Sequence, residues 1–146
     1  GFVLDNDRGK SNDDTSAEGK ILLEHSKLLQ AASKDGILTC HEDVLLKEAY
    51  IYSFESNQNP SQFSKSLLNT LGQFFPIAQD GEIDGCTVKD GIIFNHFDLS
   101  FEAFLVRLGA NVGVCSETPG KQNIDQRILA NSAIMQSFIE QVIARP

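Results

Sequence analysis

Residues 60–94, PSQFSKSLLNTLGQFFPIAQDGEIDGCTVKDGIIF, decide how the chain reads. Pro60 and Ser61 suit a helix start, because proline's fixed φ and missing N–H cost nothing in a first turn. Phe63, Leu67, Leu68, Leu71, Phe74 and Phe75 then recur at helical spacing and form one apolar stripe. Gln62, Lys65, Ser66, Asn69 and Gln73 make the opposite, exposed face, and Pro76 ends the helix. Beyond it, Cys86-Thr87-Val88 and Ile92-Ile93-Phe94 read as two short strands joined at Lys89-Asp90-Gly91, since Asp-Gly favours the tight turns of hairpins.

Working outward, Ile21, Leu22, His25, Leu28, Leu29 and Ala32 predict a helix from Glu18, with Ser16 as a cap and a stop at Asp35-Gly36. Ile37–Thr39 reads as a short strand. Val44, Leu45, Ala49, Tyr52 and Phe54 predict a second helix that begins at Thr39 or His41 and ends before Asn57-Gln58-Asn59-Pro60. On the other side, Phe101, Phe104, Leu105 and Leu108 predict a short helix. Residues 110–122 read as a loop around Pro119-Gly120, and Ile124 to Ala144 as the final and longest helix. The expected fold class is mostly α with a small β-hairpin.

The chain has 146 residues, enough for one core without disulfide or metal staples. Residues 1–17 read as a flexible arm, polar and acidic from Asp5 onward behind a short apolar tip of Phe2, Val3 and Leu4, leaving residues 18–146 as one helical domain. Twenty acidic against twelve basic side chains give a formal charge of −8, which opposes approach to a polyanion. No apolar run is long enough for a membrane helix. Cys40, Cys86 and Cys115 are odd in number, widely spaced and without a Cys-x-x-Cys pair, so reduced thiols in the nucleus or cytoplasm are expected. Cys40 adjoins His41, but the spacing of His and Cys matches no zinc motif, and neither a metal nor another cofactor is predicted.

Catalytic signatures are missing as well: the chain has no Gly-x-Ser-x-Gly elbow, no His-Glu-x-x-His helix and no glycine-rich dinucleotide loop. Gly9-Lys10-Ser11 matches only the end of a phosphate-binding loop. Residues 31–42 place Gly36, Leu38 and Glu42 as an EF-hand loop would, yet Ala31 holds the position that needs a carboxylate. Degenerate calcium binding is one alternative function, and no catalytic residue is predicted.

The order helix, short strand, helix, helix, hairpin over about residues 18–95 resembles a winged-helix domain, of the RFX type in element order. That resemblance implies a winged-helix core plus C-terminal helices, a partner-facing third helix (Gln62, Lys65, Ser66, Asn69, Gln73) and a wing carrying Lys89 and Asp90. Nucleic-acid-binding members use several Arg and Lys there. Here Lys65 and Lys89 stand against Asp80, Glu82, Asp84 and Asp90, so nucleic-acid binding is the second alternative. The final helix carries Ile128, Met135, Phe138 and Val142 on a seam with Asn131, and its apolar surface is wide enough to meet another chain. The reading that follows is a non-catalytic, intracellular interaction module of a larger nuclear or chromatin-associated protein. It would bind a protein partner or a second copy through that helix.

Overall fold

The computed structural model describes residues 15–144. In chain order the elements are α1 (Ala17–Glu24), α2 (Ser26–Ala32), β1 (Ile37–Asp43), β2 (Tyr50–Glu55), α3 (Gln62–Leu71), β3 (Gly81–Ile83), β4 (Cys86–Val88), β5 (Ile92–Phe94), α4 (Phe101–Arg107), β6 (Val112–Pro119) and α5 (Ile124–Ile143). Four strands form a mixed sheet in the order β1-β6-β2-β5. β6 runs parallel to β1 and antiparallel to β2, and β5 runs parallel to β2. The expectation of a mostly α, winged-helix fold is therefore corrected to α/β.

Side-chain alternation along β6 explains the layers, because successive residues of a strand point to opposite faces. Val112 and Val114 join Ile51, Leu67, Leu71, Ala130 and Ile134 in the main core, which places α3 and α5 on that face. Gly113, Cys115 and Glu117 point the other way, toward α4. A Cβ at Gly113 would lie 2.8 Å from Val106 and 3.5 Å from Glu102, so its bare backbone is what lets α4 sit close to the sheet. α3 forms within the stretch where its stripe predicts a helix but ends at Leu71, short of Phe74 and Phe75, with Phe63, Leu67, Leu68 and Leu71 buried. Each such side chain contributes about 1.5–3 kcal/mol of transfer free energy.

Three local expectations change. The second helix does not form: β1 continues to Asp43, whose carboxylate accepts from Leu45 N at 2.7 Å, Leu46 N at 3.1 Å and Tyr50 Oη at 3.1 Å. That turn leaves Val44 and Leu45 exposed and starts β2. The supposed loop at residues 110–122 is the central strand β6, buried at every position. Its polar side chains are satisfied, Ser116 Oγ donating to Thr39 O at 3.4 Å and Thr118 Oγ1 to His41 O at 3.1 Å. The turn at Lys89-Asp90-Gly91 is present, with positive φ at Asp90 and Gly91, but no wing results. β4 pairs with β3, while β5 joins the main sheet as an edge. Residues 31–42 run from a helix end into β1, which removes the EF-hand alternative. Residues 1–14 of the predicted arm lie outside the described residues; Thr15 is buried and Ser16 caps α1.

Candidate functional site

The face of the sheet under α4 gathers titratable groups in two cross-strand rows. Parallel register sets Thr39 beside Cys115 and His41 beside Glu117. Antiparallel register sets Tyr52 beside Cys115 and Tyr50 beside Glu117. Over them lies α4, started by Ser100, whose Oγ accepts from Ala103 N at 3.3 Å and whose own N–H donates to Asp98 Oδ1 at 2.9 Å. This cap places Glu102 in the first helical turn, where the helix dipole favours a carboxylate, and the close approach over Gly113 brings it down to the sheet.

Ligand atoms of His41, Glu102 and Cys115 all lie within 4.8 Å of one another. His41 Nε2 is 4.0 Å from Glu102 Oε1, which also accepts from Thr39 Oγ1. Glu102 and Cys115 are buried, whereas the His41 side chain is 58% exposed. They line a cavity of about 210 Å³ with Tyr52, Phe54, Asp98, Ser100 and Glu117. Two larger grooves run along α3, but among the described residues no three metal-ligating side chains converge there.

The electrostatics of this cavity are set by buried, closely spaced acids. Burial, and next the Glu102 and Glu117 carboxylates, push the Cys115 thiol far up. Burial also raises Glu117 to about 7, with Asp43, Glu102 and Asp84 adding to the rise and a hydrogen bond from Cys115 Sγ at 3.6 Å opposing it. Tyr52 is pushed up to about 12, first by burial and then by the charges of Cys86 and Glu117. No Lys or Arg forms an ion pair with Glu102 or Glu117 among the described residues. The donor chemistry suits a divalent ion: imidazole, thiolate and carboxylate are the usual ligands of zinc, and three protein ligands leave a position for water or substrate.

The residues singled out in the sequence fall elsewhere. Phe138 and Val142 turn inward onto the core, Phe138 meeting Phe63 edge-on at 5.5 Å, while Ile128 and Met135 stay exposed. Gln62, Lys65 and Asn69 are exposed on α3, Gln73 is exposed in the turn just beyond it, and Ser66 is half-buried; Lys89 and Asp90 are exposed at the turn. The cluster itself was missed because its members are far apart in the chain, and because β1, read as ending at Thr39, hides the alternation. Cys40, the sequence neighbour of His41, packs against the α3–α5 core, on the opposite face from His41.

No family model and no curated protein matches the chain. Solved structures do. The chain is similar to a "putative metallopeptidase" from Shewanella amazonensis, at 62% identity and a TM-score of 0.92, over 97% of this chain and 53% of that one. It is similar to another of that name from Shewanella baltica, at 64% identity, TM-score 0.92 and the same coverage. A third, from Shewanella denitrificans, is 62% identical with a TM-score of 0.86, over 89% of this chain and 50% of that one. The chain thus spans about half the length of the structures it matches.

These likenesses overturn the winged-helix resemblance and the picture of a nuclear, non-catalytic dimerisation module with nucleic-acid or calcium binding as alternatives. Neighbours of this identity carry the name of an enzyme and come from bacteria, which have no nucleus. Among the described residues no helix is long and apolar enough to cross a membrane.

Proposed function

We propose that this chain carries the metal centre of a metal-dependent peptidase, with His41, Glu102 and Cys115 holding a divalent cation such as zinc. The observation that carries the reading is the convergence of these three ligand atoms in a cavity whose buried carboxylates form no ion pair with Lys or Arg among the described residues. The names of the Shewanella neighbours support it.

A bound divalent ion supplies Lewis acidity, polarising a carbonyl and making water acidic near neutral pH. The chain's own residues do the rest. Thr39 Oγ1, donating to Glu102, fixes the carboxylate's orientation. Glu117, in the same cavity, accepts the proton of the attacking water and returns it to the departing amine. Tyr52, neutral at ordinary pH, has a hydroxyl able to donate to a developing oxyanion. A cytoplasmic setting belongs to the same proposal, because a thiol ligand needs reducing conditions and all three cysteines are free.

The test is metal titration of chelator-stripped protein. Cobalt should produce thiolate charge-transfer absorption in the wild type but not in Cys115→Ser, and zinc should raise Tm in the wild type but not in Glu102→Gln. Hydrolysis of an unstructured peptide is the second readout, lost in Glu117→Gln with metal still bound. Metal binding undiminished in both ligand variants would overturn the site.

A further inference from the structure

β1 is an edge of the main sheet, with β6 on one side and, among the described residues, no strand on the other. Which of its backbone groups face outward follows from the register. Gly120 N, just past β6, donates to Asp43 O at 2.7 Å, and Asp43 lies beside Pro119. In a parallel pair alternate residues turn both N–H and C=O toward the partner strand, so Asp43, His41, Thr39 and Ile37 face β6. Ser116 Oγ and Thr118 Oγ1, which donate from β6 to Thr39 O and His41 O, fit that phase. Leu38, Cys40 and Glu42 therefore turn their N–H and C=O groups out of the sheet, a row about 13 Å long at roughly 3.3 Å per residue.

Sheets normally guard such a row by shortness, proline or charge. The opposite edge, β5, is only three residues long. β1 is seven residues long, and from Ile37 to His41 it holds no proline, lysine or carboxylate. Glu42, the next residue, is engaged by Arg127. An open edge of this length is a template for one more strand, and main-chain pairing recognises an extended polypeptide by its backbone.

His41 says which polypeptide. Its side chain is 58% exposed on this edge strand, whereas Glu102 and Cys115 are buried, so the lining of the cavity under α4 reaches solvent at β1 as well as at Asp98. A strand laid along β1 runs past the His41 imidazole. We infer that β1 receives an extended peptide as an added strand and presents it to the His41–Glu102–Cys115 cavity as substrate. On one face the added side chains lie beside Thr39 and His41, and on the other beside the half-buried Leu38 and Cys40, neighbours that suit Val and Thr. The substrate class is an unfolded chain segment read through its backbone. Docking stands on the open edge alone; that the docked peptide is the substrate rests on the proposed metal centre.

The test uses chelator-treated protein, in which peptide is not consumed and docking is read without metal. The probe is uncharged acetyl-Thr-Val-Ser-Val-Thr amide. In the free protein the amides of Leu38, Cys40 and Glu42 should exchange with solvent quickly, and those of Thr39, His41 and Asp43 slowly. Peptide at about ten times its Kd should slow the first three about tenfold and leave the others unchanged. The same peptide N-methylated at its third and fourth residues lacks a needed N–H in either register and should slow none. Cys40→Pro removes an outward N–H that the sheet does not use, and should weaken binding with the circular dichroism of the fold retained; if it unfolds, the N-methylated peptide decides. Slow exchange at Leu38, Cys40 and Glu42 before peptide is added would show the edge already taken, by this chain or, if it rises with protein concentration, by a second copy, and would overturn the inference. Equal slowing by the N-methylated peptide, or none at millimolar peptide, would overturn it too. No docking to protein that binds cobalt through Cys115 would leave the metal centre standing and sink the added strand. Docking to protein that binds no cobalt would support the added strand and overturn the metal centre.

Discussion

Glu55 and Glu117 are both buried glutamates on strands of one sheet, and their surroundings could hardly differ more. Glu55, at the end of β2, accepts from Ser64 Oγ at 2.6 Å, Ser53 Oγ at 3.0 Å, Asn57 Nδ2 at 3.1 Å and Ser61 N at 3.1 Å. Burial by itself would raise its pKa, but the hydroxyls of Ser64, Ser61 and Ser53 and the Ser61 amide outweigh burial and hold it below the usual value. Glu117 accepts one weak bond from a thiol and titrates far above its usual value. Buried carboxylates cost free energy unless hydrogen-bonded. The satisfied one ties the start of α3 to the sheet, and the unsatisfied one marks a place where something other than stability governs the residue choice.

The largest expected effect tests the satisfied side. Glu55→Ala strands two hydroxyls, a side-chain amide and a backbone N–H and should cost about 3–5 kcal/mol in urea unfolding. Glu117→Gln should leave stability within about 1 kcal/mol of the wild type or raise it, since a neutral amide relieves crowding among acids. Equal losses in the two variants would erase the contrast. Next comes metal: zinc at about a hundred times its Kd should stabilise the wild type by roughly 2.7 kcal/mol, and Cys115→Ser by almost nothing.

The pH profiles of chelated protein should carry opposite signs. Glu55, whose folded pKa is depressed, contributes stability above its unfolded value of about 4.3, lost as pH falls through the folded pKa. Glu117, raised to about 7, contributes most below that unfolded value, and its contribution is lost as pH rises toward 7. Glu117→Gln should therefore flatten the limb between about pH 4.3 and 7, and Glu55→Gln the acid limb. A Tm series on the three proteins reads both; an unchanged upper limb in Glu117→Gln would contradict the assignment. The smallest effect sets the floor for these measurements: Ile139→Ser, at an exposed position of α5, should shift stability by no more than about 0.5 kcal/mol.

The same contrast separates what could be read in the sequence from what could not. α3 and α5 are legible because a helix writes its buried face at three and four residue steps, as Phe63, Leu67 and Leu71 do. The turn at Asp90-Gly91 is legible because its backbone demands those residues. β2 was misread even though Tyr50-Ile51-Tyr52 is rich in strand formers, because Val44, Leu45, Ala49 and Tyr52 mimic helical spacing. β6 was misread because half its side chains are Ser, Thr, Glu and Cys, which look solvent-facing until β1 supplies carbonyls for Ser116 and Thr118. The cluster could not be seen without β6. Its one local trace, Thr39 and His41 two apart and Cys115 and Glu117 two apart, carries meaning only when both segments are strands in register.

That register also bears on how the molecule assembles in time. Ser116 and Thr39 touch although 77 positions separate them, and β1 meets β6 in parallel, so nearly the whole intervening chain must be gathered before this ladder closes. Loop-closure entropy makes such long-range pairings slow relative to helix or hairpin formation. β3–β4 and α3 can form early from neighbouring residues, whereas the β1–β6 seam closes late. Because His41 lies on one side of that seam and Cys115 on the other, the cluster cannot be complete until the seam has closed.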